Sequence, residues 1–330
     1  MKRILLAITL TAVILLSLAG CAQPDKNLPQ HRNTEVKVIL DYVPNTNHAG
    51  LYVARDMGYY AKQGLAVEII QPSQTGAAQL VAAGQGDFGV SYQEEVTTAR
   101  SEGIPLVALA AVIQHNSSGF ASPAAKNIMT PKDFEGKTYG GWGSPMETAV
   151  LKALMAKYNG DFSKVNVINI GEADFFTSVQ KDVDFAWIFR GWAGIEAELK
   201  GIKINYVDLS QEDPIFDYYT PVIICSEKQI AQNPDLVKKF LTATSQGYQY
   251  SIAHPAETAD LFVKAVPGSD PELIKASMKF LAPRYQDDAA RWGEMDLNVW
   301  KRYADFMYNN QLMKKNIDPA KAFTNEYLPK

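Results

Sequence analysis

Short strand-like segments alternate with helix-like segments from Glu35 onward, and this alternation limits the possible folds more than any other feature. Residues 35–40 alternate polar and apolar side chains and are rich in β-branched types, which is typical of a strand. Residues 49–57 have helical periodicity, and Gly58 follows as a stop signal. Residues 106–113 are almost entirely apolar, as in a strand buried on both faces. This order predicts a parallel or mixed sheet with helices on both faces.

A second series of the same kind follows, and the chain then ends in largely helical sequence. Its predicted strands are 137–141, 165–170, 185–188, 203–208 and 219–225, and its predicted helices are 146–158, 174–180 and 191–200. Two α/β units of similar size predict two lobes. Ligands of open α/β sheets lie beyond the carboxyl ends of the strands. We therefore expect the pocket to be formed by the loops 42–48, 91–95, 140–147, 187–192 and 217–220.

The N-terminus has the features of an export signal. Lys2 and Arg3 precede a mostly apolar run over 4–18, which is shorter than the roughly 20 residues that a membrane span needs. The run ends in Leu18-Ala19-Gly20-Cys21, which resembles the lipobox of bacterial lipoproteins. That resemblance implies cleavage before Cys21 and attachment of lipid acyl chains to it. We predict a signal peptide over 1–20, a flexible linker over 21–35, and an extracytoplasmic protein anchored to the membrane through its lipid.

Charge and cysteine usage narrow the range of partners. Loss of Lys2 and Arg3 with the signal peptide leaves 30 basic against 36 acidic side chains, and no basic stripe is present. Nucleic acid is therefore not expected as a partner. If Cys21 carries lipid, Cys225 stands alone, which excludes an internal disulfide and a cysteine-based metal site. The four histidines lack metal-ligand spacing, so we predict no metal site and place each histidine in a loop or at the surface.

The five predicted pocket loops share one composition. Each combines an aromatic ring with a carboxylate, an amide or a hydroxyl group. Aromatic faces enclose flat rings, and a few polar groups fix the orientation of the ligand. A planar heteroaromatic ligand therefore suits these loops better than a sugar or a long peptide. The alternative is that the aromatic residues only pack the lobes. For Glu147, three residues after Ser144, the alternative is a helix capping box.

Several motifs resemble the NMT1/THI5-like family. Residues 41–48 and 50–54 are similar to its opening motif, and the similarity continues through 58–60, 86–89 and 140–145. The resemblance covers most of the chain from about 36 to 262. It implies the type II periplasmic-binding-protein fold, with two α/β lobes, a hinge and a ligand cleft between the lobes. The implied first lobe is 36–120 plus 221–330, including the helical C-terminal part, and the implied second lobe is 121–220.

Within the family, residues 91–95, 186–189 and 216–221 are similar to the members that bind thiamine precursors for ABC transporters. This implies a monomeric receptor without a cofactor, which captures formylaminopyrimidine or a hydroxymethylpyrimidine and delivers it to a membrane permease. An ionised carboxylate only accepts hydrogen bonds and so suits the amine edge of the ring. Glu94 or Glu95 fits this role, with Glu147 and Asp217 as competitors. The predicted ligand-binding residues are Tyr42, Asn47, Tyr92, Glu94, Trp142, Glu147, Trp187, Tyr218 and Tyr219.

Two other functions stay open. Riboflavin is an alternative ligand because aromatic walls also suit isoalloxazine. A synthase is a less favoured alternative, because the family includes enzymes that make the thiamine pyrimidine. The resemblance implies that these enzymes use a pyridoxal-phosphate lysine, a histidine and a cysteine-rich iron site. Here the matching positions hold Ser91, Glu95 and the cysteine-free segment 217–220. Serine cannot form a Schiff base, so we expect no enzyme activity.

Overall fold

The computed structural model describes residues 33–71, 76–171 and 173–330. The predicted signal peptide, Cys21 and nearly all of the predicted linker lie outside these residues. The ten strands, in chain order, are β1 (Thr34–Ile39), β2 (Leu65–Ile70), β3 (Phe88–Ser91), β4 (Leu106–Ala111), β5 (Ser118–Pro123), β6 (Thr138–Gly141), β7 (Asn166–Asn169), β8 (Phe185–Phe189), β9 (Ile204–Asp208) and β10 (Val222–Ser226).

The strands form two five-stranded mixed sheets with equivalent orders. The first sheet has the order β2-β1-β3-β10-β4, and the second has the order β7-β6-β8-β5-β9. In each sheet the fourth strand of that order, β10 or β5, runs antiparallel to both of its neighbours. The first three strands of each order pair in parallel with one another. Each sheet therefore contains one strand of reversed direction, placed next to a crossing between the lobes. The prediction of two α/β lobes is confirmed.

Helices cover the sheets and make up most of the C-terminal third. The α-helices are α1 (Ala49–Asp56), α2 (Tyr59–Lys62), α3 (Ala77–Ala82), α4 (Gln93–Ser101), α5 (Pro145–Lys157), α6 (Phe175–Val179), α7 (Ile195–Leu199), α8 (Leu209–Glu212), α9 (Glu227–Gln232), α10 (Pro234–Ala253), α11 (Pro255–Ala265), α12 (Pro271–Leu281) and α13 (Leu297–Asn309). In the part of the chain that the structure describes, no helix is both long and apolar enough to cross a membrane.

Two segments connect the sheets, and they are hydrogen-bonded to each other. The first runs from the end of β4 to Ser118, and the second runs from the end of β9 to Val222. The side chain of Asn116 donates to the carbonyl of Phe216 over 2.8 Å, and its backbone N–H donates to Asp217 Oδ1 over 2.9 Å. The two segments therefore form one hydrogen-bonded hinge region. The predicted lobe boundary at residue 120 falls inside β5, after this region.

Helix α13 contacts the cores of both lobes. Trp300 is fully buried in a cluster with Val222 and Ala108 of the first sheet. Phe306, six residues further along the helix, lies in the cluster that contains Phe120 and Phe185 of the second sheet. The helical C-terminal part, which we predicted to belong to the first lobe, therefore packs on both lobes. Burial of large aromatic side chains at both ends of the helix holds it against the two sheets.

Candidate functional site

The predicted pocket loops gather where the parallel strands end and the crossings begin. Ser91, the last residue of β3, pairs with Val222 at the start of β10. In the second sheet, Phe189 at the end of β8 pairs with Ser118 at the start of β5. The carboxyl ends of β3 and β8 therefore lie beside the two crossings. This arrangement explains how loops far apart in sequence come to one interface between the lobes.

Glu94, in the first turn of α4, is held by two tyrosines from other elements. The hydroxyl groups of Tyr218 and Tyr303 both donate to its Oε2 atom, over 3.4 Å and 3.5 Å. The rings of these tyrosines are stacked at a tilt, with centroids 4.3 Å apart, and both side chains are buried. Tyr303 belongs to α13, and sequence reasoning missed it because nothing in a helical tail marks one tyrosine as facing a distant loop.

Burial raises the pKa of Glu94 to about 7, and the nearby carboxylate of Glu95 adds to the shift. The two tyrosine hydroxyl groups oppose it, and Glu147 across the interface raises the pKa further. The second oxygen of Glu94, Oε1, accepts no hydrogen bond from the described residues, and the side chain is partly exposed. Glu94 therefore has one fixed oxygen and one oxygen available to a ligand.

The carboxylate of Glu95 makes different polar contacts from that of Glu94. Its Oε2 atom accepts a 2.5 Å hydrogen bond from Ser91. Burial raises its pKa, and the hydrogen bond from Ser91 opposes that shift. The carboxylate of Asp41 also raises the pKa of Glu95, and Asp41 lies 2.7 Å from Nε2 of His48. The position that the family resemblance assigns to a lysine is therefore occupied here by a serine that donates to Glu95.

His48 lies in a 3₁₀ turn, which agrees with the prediction of a loop position, but its side chain is fully buried and does not lie at the surface. Its Nδ1 atom accepts a 3.1 Å hydrogen bond from the backbone N–H of Asn45. Because a neutral imidazole has one donor and one acceptor nitrogen, Nε2 then donates to Asp41. The histidine fixes the direction of this carboxylate and is not free to bind a metal ion.

Two tryptophans line the second lobe at the interface. Trp142 follows β6 and is 42% exposed, and its ring centroid lies 5.4 Å from that of Trp187 in β8. Trp187 also contacts the buried ring of Phe120 at 5.2 Å. The indole Nε1 of Trp187 is buried and has no hydrogen-bond partner among the described residues. The pair therefore presents an aromatic surface, with the exposed face supplied by Trp142.

Glu147 is only 2% exposed, and its carboxylate caps helix α5. Its Oε2 atom accepts from the backbone N–H of Ser144 over 2.8 Å. Its Oε1 atom accepts from the N–H of Trp142 over 3.1 Å and from the hydroxyl of Tyr139. The capping-box alternative for Glu147 is therefore realised. Since both oxygens are engaged, the structure gives Glu147 a role in shaping the Trp142 loop and not a free acceptor for a ligand.

Tyr219 is not brought to the interface as a ring wall. It is buried in the first-lobe cluster that contains Trp300, and its hydroxyl accepts from the backbone N–H of Asp296 over 2.8 Å. Its backbone N–H donates to the side chain of Gln93, which fixes the start of α4 against the second crossing. Tyr219 therefore positions Glu94 indirectly. Sequence reasoning could not separate it from Tyr218, because alternation alone does not show which neighbour faces the gap.

The remaining predicted residues lie in the segments that follow β1 and β3. Tyr42 is among the exposed aromatic residues, directly after β1. Asn47 is partly exposed in a 3₁₀ turn, and its carbonyl accepts from the hydroxyl of Tyr248. Tyr92 is partly exposed and occupies the N-cap position of α4. These three residues occupy loops next to Glu94 and Asp41, and their contact with a ligand stays a prediction.

Asp217, a competitor of Glu94 in the sequence, belongs to the hinge region. Its Oδ2 atom lies 2.7 Å from Nδ1 of His115, whose other ring nitrogen lies 3.2 Å from Asp288. The hydrogen bond to Asp217 is the main cause that raises the pKa of His115 to about 9. At neutral pH the imidazole is therefore charged and joins three segments: the two crossings and the loop after α12.

Two further observations bear on the kind of site. Among residues 33–330, with the gaps given above, no cluster of three or more potential ligands is placed to hold a metal ion. A surface depression of about 380 Å³ lies beside α11 and the end of α10 and is lined by Tyr250, Glu257 and Lys264, among others. It contains none of the predicted site residues. We place the site at the lobe interface, because the aromatic rings and the raised carboxyl pKa occur there.

Comparison with solved structures identifies the architecture. The chain is similar to the periplasmic aliphatic sulphonate binding protein SsuA from Escherichia coli, with a TM-score of 0.69 and 15% identity. The match covers 87% of this chain and 91% of that protein. The type II periplasmic-binding-protein fold is therefore confirmed. At this level of identity the likeness concerns the fold alone.

Relatives with curated names fall into two groups. The formylaminopyrimidine-binding protein of Halalkalibacterium halodurans is 26% identical, covering 88% of this chain and 89% of its own. The riboflavin-binding protein RibY of Chloroflexus aurantiacus is 28% identical and covers 98% of this chain and 97% of its own. The second group contains enzymes. The 4-amino-5-hydroxymethyl-2-methylpyrimidine phosphate synthase of Legionella pneumophila is 22% identical, over 90% of this chain and 93% of its own.

The family assignment rests on the central part of the chain. The model of the family described as NMT1/THI5 like matches residues 45–258, which include the Glu94, Trp142 and Trp187 loops. The matched region ends before Tyr303, so the contact from α13 lies outside the part that defines the family. With about 65% of its length matched in one continuous stretch, this chain belongs to the NMT1/THI5-like family.

Proposed function

We propose that the protein is the solute receptor of an ABC importer and captures a thiamine-related pyrimidine between its lobes. Formylaminopyrimidine and hydroxymethylpyrimidine are the proposed ligands. The carboxyl group of Glu94 is the single observation that carries the proposal, because its Oε2 is fixed by Tyr218 and Tyr303 while Oε1 stays available. A carboxylate held in this way accepts a hydrogen bond from the exocyclic amine of an aminopyrimidine.

The aromatic pair of the second lobe supports the same ligand. The ring of Trp142 packs on that of Trp187, and the backbone N–H of Trp142 donates to Glu147, whose carboxylate is close enough to Glu94 to raise its pKa. A flat pyrimidine between Glu94 and Trp142 contacts both lobes at once. A ligand that contacts both lobes favours the closed arrangement over the open one. The closed form then docks on the permease, and lipid on Cys21 keeps the receptor at the outer face of the membrane.

Calorimetric titration with formylaminopyrimidine and hydroxymethylpyrimidine tests the proposal. The wild-type protein is expected to bind at least one of them, and Glu94→Gln is expected to weaken binding by about 10- to 100-fold, since a charged hydrogen bond contributes roughly 1.5–3 kcal/mol. Glu102→Gln is the matched control, because Glu102 is exposed at the other end of α4. Equal affinity in the wild type and Glu94→Gln refutes the assigned role of Glu94.

Riboflavin is the second candidate ligand. The relative named for riboflavin binding aligns over 98% of this chain, and an exposed Trp142 ring also suits an isoalloxazine face. The same titration with riboflavin separates the two candidates. If riboflavin binds and neither pyrimidine does, riboflavin becomes the proposed ligand and the proposed receptor role is unchanged.

Synthase chemistry is the less favoured alternative. Relatives named as synthases exist, but Ser91 and Glu95 are hydrogen-bonded to each other at the positions that the resemblance assigns to the lysine and the histidine. A serine hydroxyl cannot form an imine with pyridoxal phosphate. Incubation with pyridoxal phosphate is therefore expected to leave the absorbance spectrum unchanged. An imine absorption band that is lost in a lysine-blocked sample supports the synthase instead.

A further inference from the structure

We infer that the interlobe site selects ligands without negative charge, so that a free pyrimidine or flavin binds and its phosphate ester is excluded. The inference rests on the proposed function and specifies the charge class of its ligand. It is carried by two features of the described residues: the charged groups around the site, and the side chains that already cap the N-terminus of α5.

Four carboxylates surround the site. Glu94 and Glu95 come from the start of α4, Asp41 follows β1, and Glu147 lies at the start of α5. Their mutual proximity is seen in the pKa values: Glu95 and Glu147 raise the pKa of Glu94, and Asp41 raises that of Glu95. Burial is the main cause of both shifts, and the neighbouring carboxylates add to it, so these groups lie close enough to repel one another. An added anion would experience the same repulsion.

Basic groups that would offset this charge are directed elsewhere. Within the described residues, no lysine or arginine forms an ion pair with Glu94, Glu95 or Glu147, and Asp41 pairs only with His48. Arg190 is the one lysine or arginine in the five predicted loops. Its guanidinium lies 2.5 Å from Glu198 and over the ring of Tyr206. The segment 72–75, outside the described residues, contains no basic side chain.

A helix N-terminus is a common binding place for phosphate, and the N-terminus of α5 is already capped by side chains of this chain. At the start of α5, the carboxylate of Glu147 accepts from the N–H groups of Trp142 and Ser144, and Ser144 Oγ accepts from that of Met146. At the start of α4, the N–H of Gln93 donates to the carbonyl of Tyr219. The carboxylate of Glu147 therefore occupies N–H groups that could otherwise bind an anion near α5. Glu94 and Glu95 place negative charge in the first turn of α4.

The test compares each neutral ligand with its own phosphate ester at about pH 8, where the ester is a dianion. Hydroxymethylpyrimidine is paired with its phosphate, and riboflavin with its 5′-phosphate. For whichever neutral ligand binds, the ester is expected to bind at least about 100-fold more weakly. Glu95→Gln, which removes one charge without removing the proposed amine acceptor, is expected to reduce this ratio several-fold. Glu102→Gln is the control that leaves the ratio unchanged.

The outcomes separate this inference from the proposed function. Binding of an ester within tenfold of its neutral partner overturns the charge selection while supporting a receptor. Absence of binding for both neutral ligands contradicts the proposed function. In that case the charge selection is still decided by inorganic phosphate, which is expected to raise the melting temperature no more than chloride at equal ionic strength. A saturable stabilisation by phosphate at low millimolar concentration overturns the inference, and its absence supports it.

Discussion

Glu94 makes the stability of the folded protein fall as the pH rises, because its carboxyl group is harder to ionise in the folded chain than in the unfolded one. Burial raises its folded pKa to about 7, against an ordinary value of 4.5. Between these values the folded state binds more protons, so protonation stabilises it. Stability is therefore highest below about pH 4.5 for this group, and up to about 3 kcal/mol is lost by pH 8. Glu94→Gln is expected to remove this loss.

Urea unfolding at pH 5 and pH 8 measures the effect. The variant is expected to equal the wild type at the lower pH and to exceed its free energy of unfolding at the higher pH. Glu102→Gln controls for the loss of one carboxylate from α4, since Glu102 is exposed. Parallel pH profiles for the wild type and Glu94→Gln contradict the burial of this carboxyl group.

Tyr303→Phe tests whether α13 contributes to the site. The substitution keeps the buried ring and removes only the hydroxyl that donates to Glu94. We expect the pKa of Glu94 to rise further, since that hydrogen bond lowers it, and ligand affinity to fall by about 3- to 10-fold, equivalent to roughly 0.5–1.5 kcal/mol. Tyr308→Phe, on the exposed side of the same helix, is the control. It is expected to change neither the pKa of Glu94 nor the ligand affinity measured by calorimetry.

Single residues show where sequence reasoning succeeds and where it stops. The capping role of Glu147 was open to prediction because the cap depends on residues three apart, Ser144 and Glu147. The contact of Tyr303 with Glu94 joins residues 209 positions apart, so no local pattern contains it. Tyr219 is predicted to form a ring wall, but its orientation is fixed by Asp296 and Gln93, which are 77 and 126 positions away in sequence.

At the level of elements, the hinge region owes part of its cohesion to a charged histidine. The hydrogen bond to Asp217 raises the pKa of His115 to about 9, above its ordinary value of 6.5. Because the folded pKa is raised, the stabilisation is fully present below about pH 6.5 and is lost as the pH rises through about 9. We expect His115→Gln to destabilise the protein at pH 6 and to differ little from the wild type at pH 10.

Thermal unfolding across this pH range measures the difference. The effect is expected to be modest, because the imidazole is partly exposed and its ion pairs are screened by solvent. His254→Gln is the matched control, since His254 is also exposed and lies 3.6 Å from a single glutamate. A constant difference between His115→Gln and the wild type from pH 6 to pH 10 is incompatible with a titrating hinge contact.

Periodic elements were predictable, whereas one central strand was not. The helix predicted at 146–158 is observed as Pro145–Lys157, because its apolar face and its cap agree. Strand β5 was missed because its sequence, SGFASP, has little β propensity. Its place in the sheet requires Gly119, where an added Cβ would lie 2.2 Å from the carbonyl oxygen of Val207. The close approach of β9, and not the local β propensity, therefore determines which residues form β5.

At the level of the whole molecule, closure on a ligand is expected to change the environment of Trp142 more than that of any other tryptophan, because it is the most exposed of them. Trp142 is 42% exposed, while Trp292 and Trp300 are fully buried and serve as constant background. Ligand binding is expected to shift the fluorescence emission to shorter wavelength and to reduce the radius of gyration in small-angle scattering. Trp142→Phe is expected to abolish most of the fluorescence shift while the change in scattering remains. An unchanged radius of gyration at saturation contradicts closure.

The two-lobe plan as a whole was predictable, because each sheet repeats the same series of strand and helix signals. The position of α13 was not, since a helix with a strong apolar face does not reveal which lobe that face covers. In the structure it covers both, through Trp300 on one side and Phe306 on the other. Any movement of the lobes therefore has to accommodate this helix as well as the two crossings.

The insertion of β10 between β3 and β4 also bears on how the chain is made. β3 and β4 each pair with β10, through Ser91 and Ala111 opposite Val222, so the first sheet lacks an inner strand until residue 226 has left the ribosome. The second sheet, by contrast, is complete within residues 118–208. Pairing over such a sequence separation is slow. We expect the nascent chain to leave its first lobe unfinished until the end of β10 has been synthesised, while the second lobe can already form its complete sheet.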